Sequence, residues 1–315
     1  MLSEPSFVSC AQNGEDVVLW RALRRVPEGR YVDVGANHPL DDSVTRAFYD
    51  RGWSGITVEP VPHFAALQRL QRPRDHVVEA AVTTTSEQIT LHVVPGTGLS
   101  TTVDSVSDRH ADAGITHVDT VVTSVRLDDV LAEHGWSPDE DIHFMVIDVE
   151  GAEQDVLDTL DLHRWRPWVL VVESTTPNTT MLTHESWEPQ VLAAGYQFRL
   201  FDGLSRFYVP DERAEELGGL LSYPACVLDN YVPLRLSTAE RERQELHDQL
   251  AHWRTIALTR WADALAGALA RSGRSPKAKA EDLQRELEAM QQTLSWRITR
   301  PLRAVRGLLG GAPTR

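Results

Sequence analysis

At 315 residues, with 42% hydrophobic content and nine tryptophans, the chain is long enough for one large α/β domain plus an appendage, and it can fill a sizeable core. Its formal net charge of −15 disfavours DNA or RNA as a partner, because affinity for phosphate backbones comes mainly from Lys and Arg. Its two cysteines, Cys10 and Cys226, are too few for a disulfide framework or a cysteine-built zinc site and fit a reducing, cytoplasmic setting.

The first residues have no basic and apolar signal pattern, and no apolar run approaches the roughly 20 residues needed to span a bilayer. Any membrane contact is therefore expected to be peripheral, at the inner face. Short apolar runs then alternate with helical patterns, as in βαβ units that build a parallel sheet. Strands are predicted over 31–34, 55–58, 77–81, 89–94, 142–147, 169–173, 197–201 and 206–209, with helices near 15–25, 43–51, 64–69, 127–134 and 154–160. The last two strands flank Asp202-Gly203, a hairpin-type turn, which predicts an antiparallel edge on an otherwise parallel, Rossmann-like α/β sheet.

Residues 1–232 thus read as one domain and 233–315 as a helical tail. In the tail, Ser237 and Glu240 are spaced as a capping box that would start a helix, followed by Leu246, Leu250 and Trp253 among charges. A break rich in Gly, Ser, Pro and Lys precedes a second helix over 281–293, with Leu283, Leu287, Met290 and Leu294 on one face. Packing on the domain, pairing in a homodimer and docking on a membrane are all uses of such helices. The end of the chain alternates Arg297, Arg300, Arg303 and Arg306 with Trp296, Ile298, Leu302, Val305, Leu308 and Leu309, a basic amphipathic pattern that Pro301 would kink. Its natural partner is an anionic lipid surface or an acidic helix.

The strongest local signal is Tyr31-Val32-Asp33-Val34-Gly35-Ala36-Asn37, an apolar strand with an acid near its end and a glycine at the turn. Gly35 lets the backbone approach a ligand closely, at the strand end where open α/β sheets bind ligands. The sequence after Gly35 lacks the three glycines of a dinucleotide fingerprint, which argues against NAD. Glu59 ends the second strand, where an acid accepts both hydroxyls of an adenosine ribose. Acids at consecutive strand ends therefore point to a nucleoside ligand.

Asp148 and Glu150 close a later strand and point to one face, being two residues apart; Glu173 ends the next. The three carboxylates can hold Mg²⁺, or Asp148 and Glu173 can act as a base toward an acceptor hydroxyl. Glu150 and Glu153 equally fit capping of the helix that follows. His38 and His184 are alternative general bases. Trp187 and Arg206 are candidates to line an acceptor site, with core or surface packing as the plain alternative. Residues 96–102, rich in Gly, Ser and Thr, have the composition of a binding loop or lid.

The ordered set of motifs resembles the FkbM family of methyltransferases from about residue 7 to about 231. It comprises Gln12-Asn13-Gly14-Glu15-Asp16, Val32-Asp33-Val34-Gly35-Ala36-Asn37, Val58-Glu59-Pro60, Ile147-Asp148-Val149-Glu150-Gly151, Val172-Glu173 and Phe201-Asp202-Gly203-Leu204-Ser205-Arg206-Phe207-Tyr208. The resemblance implies a class I methyltransferase sheet and O-methyl transfer from S-adenosylmethionine to natural products or glycans. It places Asp33 and Gly35 near the methionine part of the donor and Glu59 on the ribose, with Glu15 and Asn37 as further cofactor-binding candidates. Family members often carry a Lys before the Ile-Asp-Val-Glu-Gly run, where this chain has Val146. The stretch from Leu294 to Arg303 resembles a segment attached to bacterial glycan-assembly enzymes, which implies a saccharide-containing acceptor in polysaccharide or glycolipid biosynthesis. A polyketide acceptor, or a silent scaffold in a glycan-assembly complex, are the alternatives.

Overall fold

The computed structural model describes residues 6–85, 88–271 and 276–293. The chain divides into two compact units, Met1–Ala239 and Glu240–Arg315. In order, the first unit holds β1 (Phe7–Ser9), α1 (Glu15–Leu23), β2 (Arg30–Val34), α2 (Arg46–Tyr49), β3 (Ser54–Val58), α3 (Pro62–Gln71), β4 (His76–Val78), β5 (Ala81–Val82) and β6 (Gln88–Val93). It continues with α4 (Asp104–Asp112), β7 (Val118–Val125), α5 (Leu127–Glu133), β8 (Phe144–Ile147), α6 (Glu153–Leu157), β9 (Leu170–Glu173), α7 (Glu188–Ala193), β10 (Tyr196–Phe201), β11 (Ser205–Pro210), α8 (Ala214–Leu217) and β12 (Tyr231–Pro233). The long helix α9 (Leu234–Arg271) and helix α10 (Pro276–Gln291) complete the described chain.

Seven strands form the central sheet in the order β10-β11-β9-β8-β2-β3-β4. β9, β8, β2, β3 and β4 run parallel, while β11 lies antiparallel between β9 and β10. This is the class I, Rossmann-like arrangement, with the hairpin at Asp202-Gly203 supplying the antiparallel edge. Both sheet faces are covered, which is why β8 (Phe-Met-Val-Ile) and β9 (Leu-Val-Val-Glu) are buried along their whole length. Val32, Val34, Met145, Ile147 and Val172 pack on one side with Leu127, Val130, Leu131 and Trp165; Tyr31, Phe144, Val146 and Val171 pack on the other with Leu19, Leu23, Phe48 and Trp53. Burying each such side chain stabilises the fold by roughly 1.5–3 kcal/mol before entropy is counted.

Several elements differ from the sequence reading. The run predicted as one strand over 77–81 is two, β4 in the central sheet and β5 in a separate sheet of order β5-β7-β6. β7, eight residues of Val, Thr, Ser and Asp, was not expected, since only Val122 and Ser124 along it are buried and the apolar signal is weak. α4 was missed for the same reason: Val106, Ser107 and His110 are its only buried residues. α9 starts at Leu234, directly after the short β1–β12 pair, so Ser237 lies inside the helix and caps nothing. No residue of α9 is buried, and Leu246, Leu250 and Trp253 are exposed. No described helix is long and apolar enough to cross a membrane. The basic segment over 295–315, and Leu294 before it, lie outside the described residues.

Candidate functional site

The chain reverses its direction of sheet growth between β2 and β8, and open α/β sheets bind ligands outside the strand ends at such a point. A recess partly open to solvent lies there. Val34 at the end of β2 with Gly35 and Asn37 after it, Val58, Glu59 and Val61 around the end of β3, Asp148, Val149 and Glu150 after β8, and Thr97, Gly98, Ser100 and Thr102 from the 96–102 loop all line it. Phe64, Ala81, Val82 and Leu91 form an apolar wall.

Gly35 has φ +86, and a Cβ there would stand 1.8 Å from the Asp148 carbonyl oxygen. Only a glycine lets the β2 and β8 loops meet this closely. Gly35→Ala is expected to destabilise the protein by at least about 1–2 kcal/mol, the left-handed backbone cost alone, with the clash added on top. The midpoint of a urea unfolding curve measures it.

Glu59 is 3% exposed, and its two oxygens accept the Asn37 and Val61 backbone N–H groups, each at 2.7 Å. Burial pushes its carboxyl up to about 7, against the pull of those two donors. Each oxygen retains a further lone pair that can face the recess. Asn37 is held in a left-handed turn at φ 45, and its buried Oδ1 has no hydrogen-bond partner. Gln68, absent from the sequence reading, fixes this turn by donating from Nε2 to the carbonyls of Ala36 (3.1 Å) and Asn37 (2.9 Å). The signal was a polar residue on the same buried face of α3 as Phe64 and Ala65.

Asp33 does not line the recess. Strand alternation turns it to the face of Tyr31, where its Oδ2 accepts the Thr45 hydroxyl at 2.6 Å. Burial pushes Asp33 up to about 6, with Arg72 the main opposing charge. It belongs to a buried network in which fully buried Arg72 donates to Asp75 (2.7 Å), the Tyr31 hydroxyl (2.8 Å) and Thr45 (2.9 Å).

Asp148 lines the recess, and its carboxyl shares a hydrogen bond with Glu173, which is 5% exposed. Burial raises Asp148, while the hydrogen bond from Glu173 draws it down. Burial and then the charge of Asp148 hold Glu173 well above the usual carboxylate range. Glu150, in a left-handed conformation at φ 54, is pushed up to about 9 by burial, then by Asp148 and Glu153. The expected three-carboxylate Mg²⁺ set does not form: among the described residues, Asp148, Glu150 and Glu173 do not bring one oxygen each within 4.8 Å of the others. Strand alternation placed Glu150 on the face of Asp148, but the chain leaves β8 at Ile147 and turns, so the period of two no longer holds. Glu153 accepts the Gly151 N–H at 3.0 Å, so it braces the loop before α6, close to the capping role expected of it.

None of the remaining candidates lines the recess. Glu15 accepts the Asn13 N–H, and Asn13 donates to the Asp202 carbonyl, which joins the first motif to the β10–β11 turn. Burial, then Asp202, pushes Glu15 up to about 8. His38 accepts the Asp41 N–H at 2.9 Å and does not line the recess. His184 lies 3.8 Å from Glu188, which also binds Arg206 and the Tyr208 hydroxyl. Trp187 is 1% exposed inside the core, so it offers no face for stacking on a sugar. Val146, in place of the family lysine, is buried against the second sheet face.

A family model described as the methyltransferase FkbM domain matches residues 33–198. No curated protein matches the chain. Solved structures similar to it include a TehB-like S-adenosylmethionine-dependent methyltransferase from Corynebacterium glutamicum, with 10% identity, a TM-score of 0.34, and coverage of 63% of this chain and 88% of that one. Another is an O-methyltransferase from Bacillus cereus in complex with SAH, with 12% identity, a TM-score of 0.32, and coverage of 65% and 82%. The family match alone spans more than half of the 315 residues and contains Asp33, Gly35, Glu59, Asp148 and Glu173. The chain belongs to the FkbM methyltransferase domain family.

Proposed function

We propose that the protein transfers a methyl group from S-adenosylmethionine to a hydroxyl of a glycan or glycosylated metabolite, in polysaccharide or glycolipid assembly at the inner face of a membrane. The observation that carries the donor half is Glu59: a buried carboxylate, braced through both oxygens by backbone N–H groups, that faces a recess opened by Gly35. The unpartnered Asn37 Oδ1 and the close approach at Gly35 both suit a nucleoside with an amino-acid arm. The donor supplies an electrophilic methyl on sulfur. The protein's own work is to orient an acceptor hydroxyl in line and to take its proton. Asp148 serves as the base from the recess wall, with Glu173 behind it as the positioning group that hydrogen-bonds it.

The saccharide acceptor rests on the resemblance of the 294–303 stretch to a segment of glycan-assembly enzymes, and the peripheral location on the basic pattern after it. Titration with S-adenosylhomocysteine by calorimetry tests the donor site. Wild-type protein is expected to bind; Glu59→Gln, whose amide must turn a donor toward the Asn37 or Val61 N–H, is expected to bind roughly 5- to 150-fold more weakly, the cost of one lost charge-assisted bond of about 1–3 kcal/mol. Equal affinity in both proteins overturns the assignment of Glu59. Labelled donor offered with sugar nucleotides, glycolipids and polyketides then separates the acceptor classes. Donor binding without turnover on any of them would favour a scaffold role instead.

A further inference from the structure

The three-stranded sheet beside the recess carries a second cluster that the methyl-transfer chemistry does not use. His92 on β6 and Asp119 on β7 are direct cross-strand partners, and His117 stands two residues before Asp119, just ahead of β7. His92 Nδ1 lies 2.7 Å and His117 Nε2 lies 3.4 Å from the same oxygen, Asp119 Oδ1. The two imidazole rings meet edge to face with centroids 5.1 Å apart. Among the described residues this is the only group of three candidate ligand side chains whose donor atoms all fall within 4.8 Å of one another.

We propose that His92, His117 and Asp119 form a binding site for a borderline divalent transition-metal ion of the zinc type. Two imidazoles and a carboxylate are a donor set suited to such an ion, with solvent free to complete a tetrahedral shell. The outer partners fit as well. His92 offers Nδ1 to the cluster while its Nε2 sits 3.0 Å from Asp104 Oδ1, the carboxylate–histidine–metal relay that fixes a ligating imidazole in one tautomer. The Ser107 hydroxyl lies 3.3 Å from the His117 ring nitrogens.

The site's place in the fold gives it a structural task. His92 exchanges both backbone hydrogen bonds with Thr101, and Asp104 opens α4, so the cluster closes the base of the segment between β6 and α4. Thr97, Gly98, Ser100 and Thr102 of that segment line the recess, and the Thr101 hydroxyl donates to the Glu150 carbonyl. An ion on these three side chains would brace the lid over the recess without entering it.

Metal-stripped, tag-free protein titrated with Zn²⁺ or Co²⁺ alone tests the idea. About one equivalent is expected to bind, the Co²⁺ form showing the visible d–d bands of a low-coordinate nitrogen and oxygen site, and Zn²⁺ raising the unfolding temperature. His117→Gln, a conservative change at a partly exposed position, and Asp119→Asn are each expected to abolish the bands and the thermal shift while keeping the circular dichroism of the wild type. Uptake that survives both substitutions, or no uptake by wild-type protein, overturns the proposal. The readouts need no methyl donor, so their failure leaves the proposed function untouched.

Discussion

Asp148→Asn is expected to lower the rate of methyl transfer by roughly 10²- to 10⁴-fold, the usual worth of a positioned general base, while S-adenosylhomocysteine affinity changes little. Asparagine keeps the shape of Asp148 at the recess wall but cannot take a proton. The pH profile carries further information. Asp148 acts as a base only when ionised, and burial raises its titration above the usual carboxylate range, so activity should climb with pH along a limb displaced upward from that range. The hydrogen bond from Glu173 draws Asp148 down. Glu173→Gln retains a donor and should leave the limb nearly in place with modest loss of turnover. Glu173→Leu removes the donor, and the limb should move to higher pH. Identical profiles for the two Glu173 variants would remove its positioning role, and full activity in Asp148→Asn would remove the base.

Arg72→Met should cost about 3–5 kcal/mol of folding free energy, the range for removing one partner from a buried ion pair. The guanidinium has no exposed surface and is shared among Asp75, Tyr31, Thr45 and Ser43, while Asp75 also receives the Tyr31 hydroxyl and the Gly55 N–H. Without it, Asp75 and Asp33 are left as buried acids with no cation beside them, and Asp33 should move further above about 6. Urea unfolding gives the measurement: a lower midpoint at unchanged slope is expected. A shift worth less than about 1 kcal/mol would mean that water replaces the lost contacts, since a retained buried charge cannot be that cheap.

Asp33 and Glu59 look equivalent in the sequence, each an acid at the end of a short apolar strand. In the structure Glu59 stands beyond the last paired residue of β3 and faces the recess, whereas Asp33 is still inside β2, paired in register between Val32 and Val34, with its side chain turned toward Arg72. Asp33 pairs with Thr57, two positions short of Glu59, so one carboxylate stays inside the sheet on internal hydrogen bonds while the other stands past the sheet and lines the recess. The missing strand β7 had a similar cost, because His117 and Asp119 become neighbours of His92 only once β6 and β7 pair.

The amino-acid sequence by itself determined the α/β class, the hairpin at Asp202-Gly203, the glycine turn at Gly35 and the family, because apolar runs, turn residues and ordered motifs are local and survive without a partner. Only the tertiary structure decided which strands adjoin, and therefore that Asp148 meets Gly35, that Asn13 reaches Asp202, that Trp187 is core, and that Asp148, Glu150 and Glu173 do not all bring their oxygens together. The physical reason is that a parallel sheet joins residues far apart in the chain through crossovers whose order no local pattern records, and a shift of one residue at a strand end turns a side chain to the opposite face.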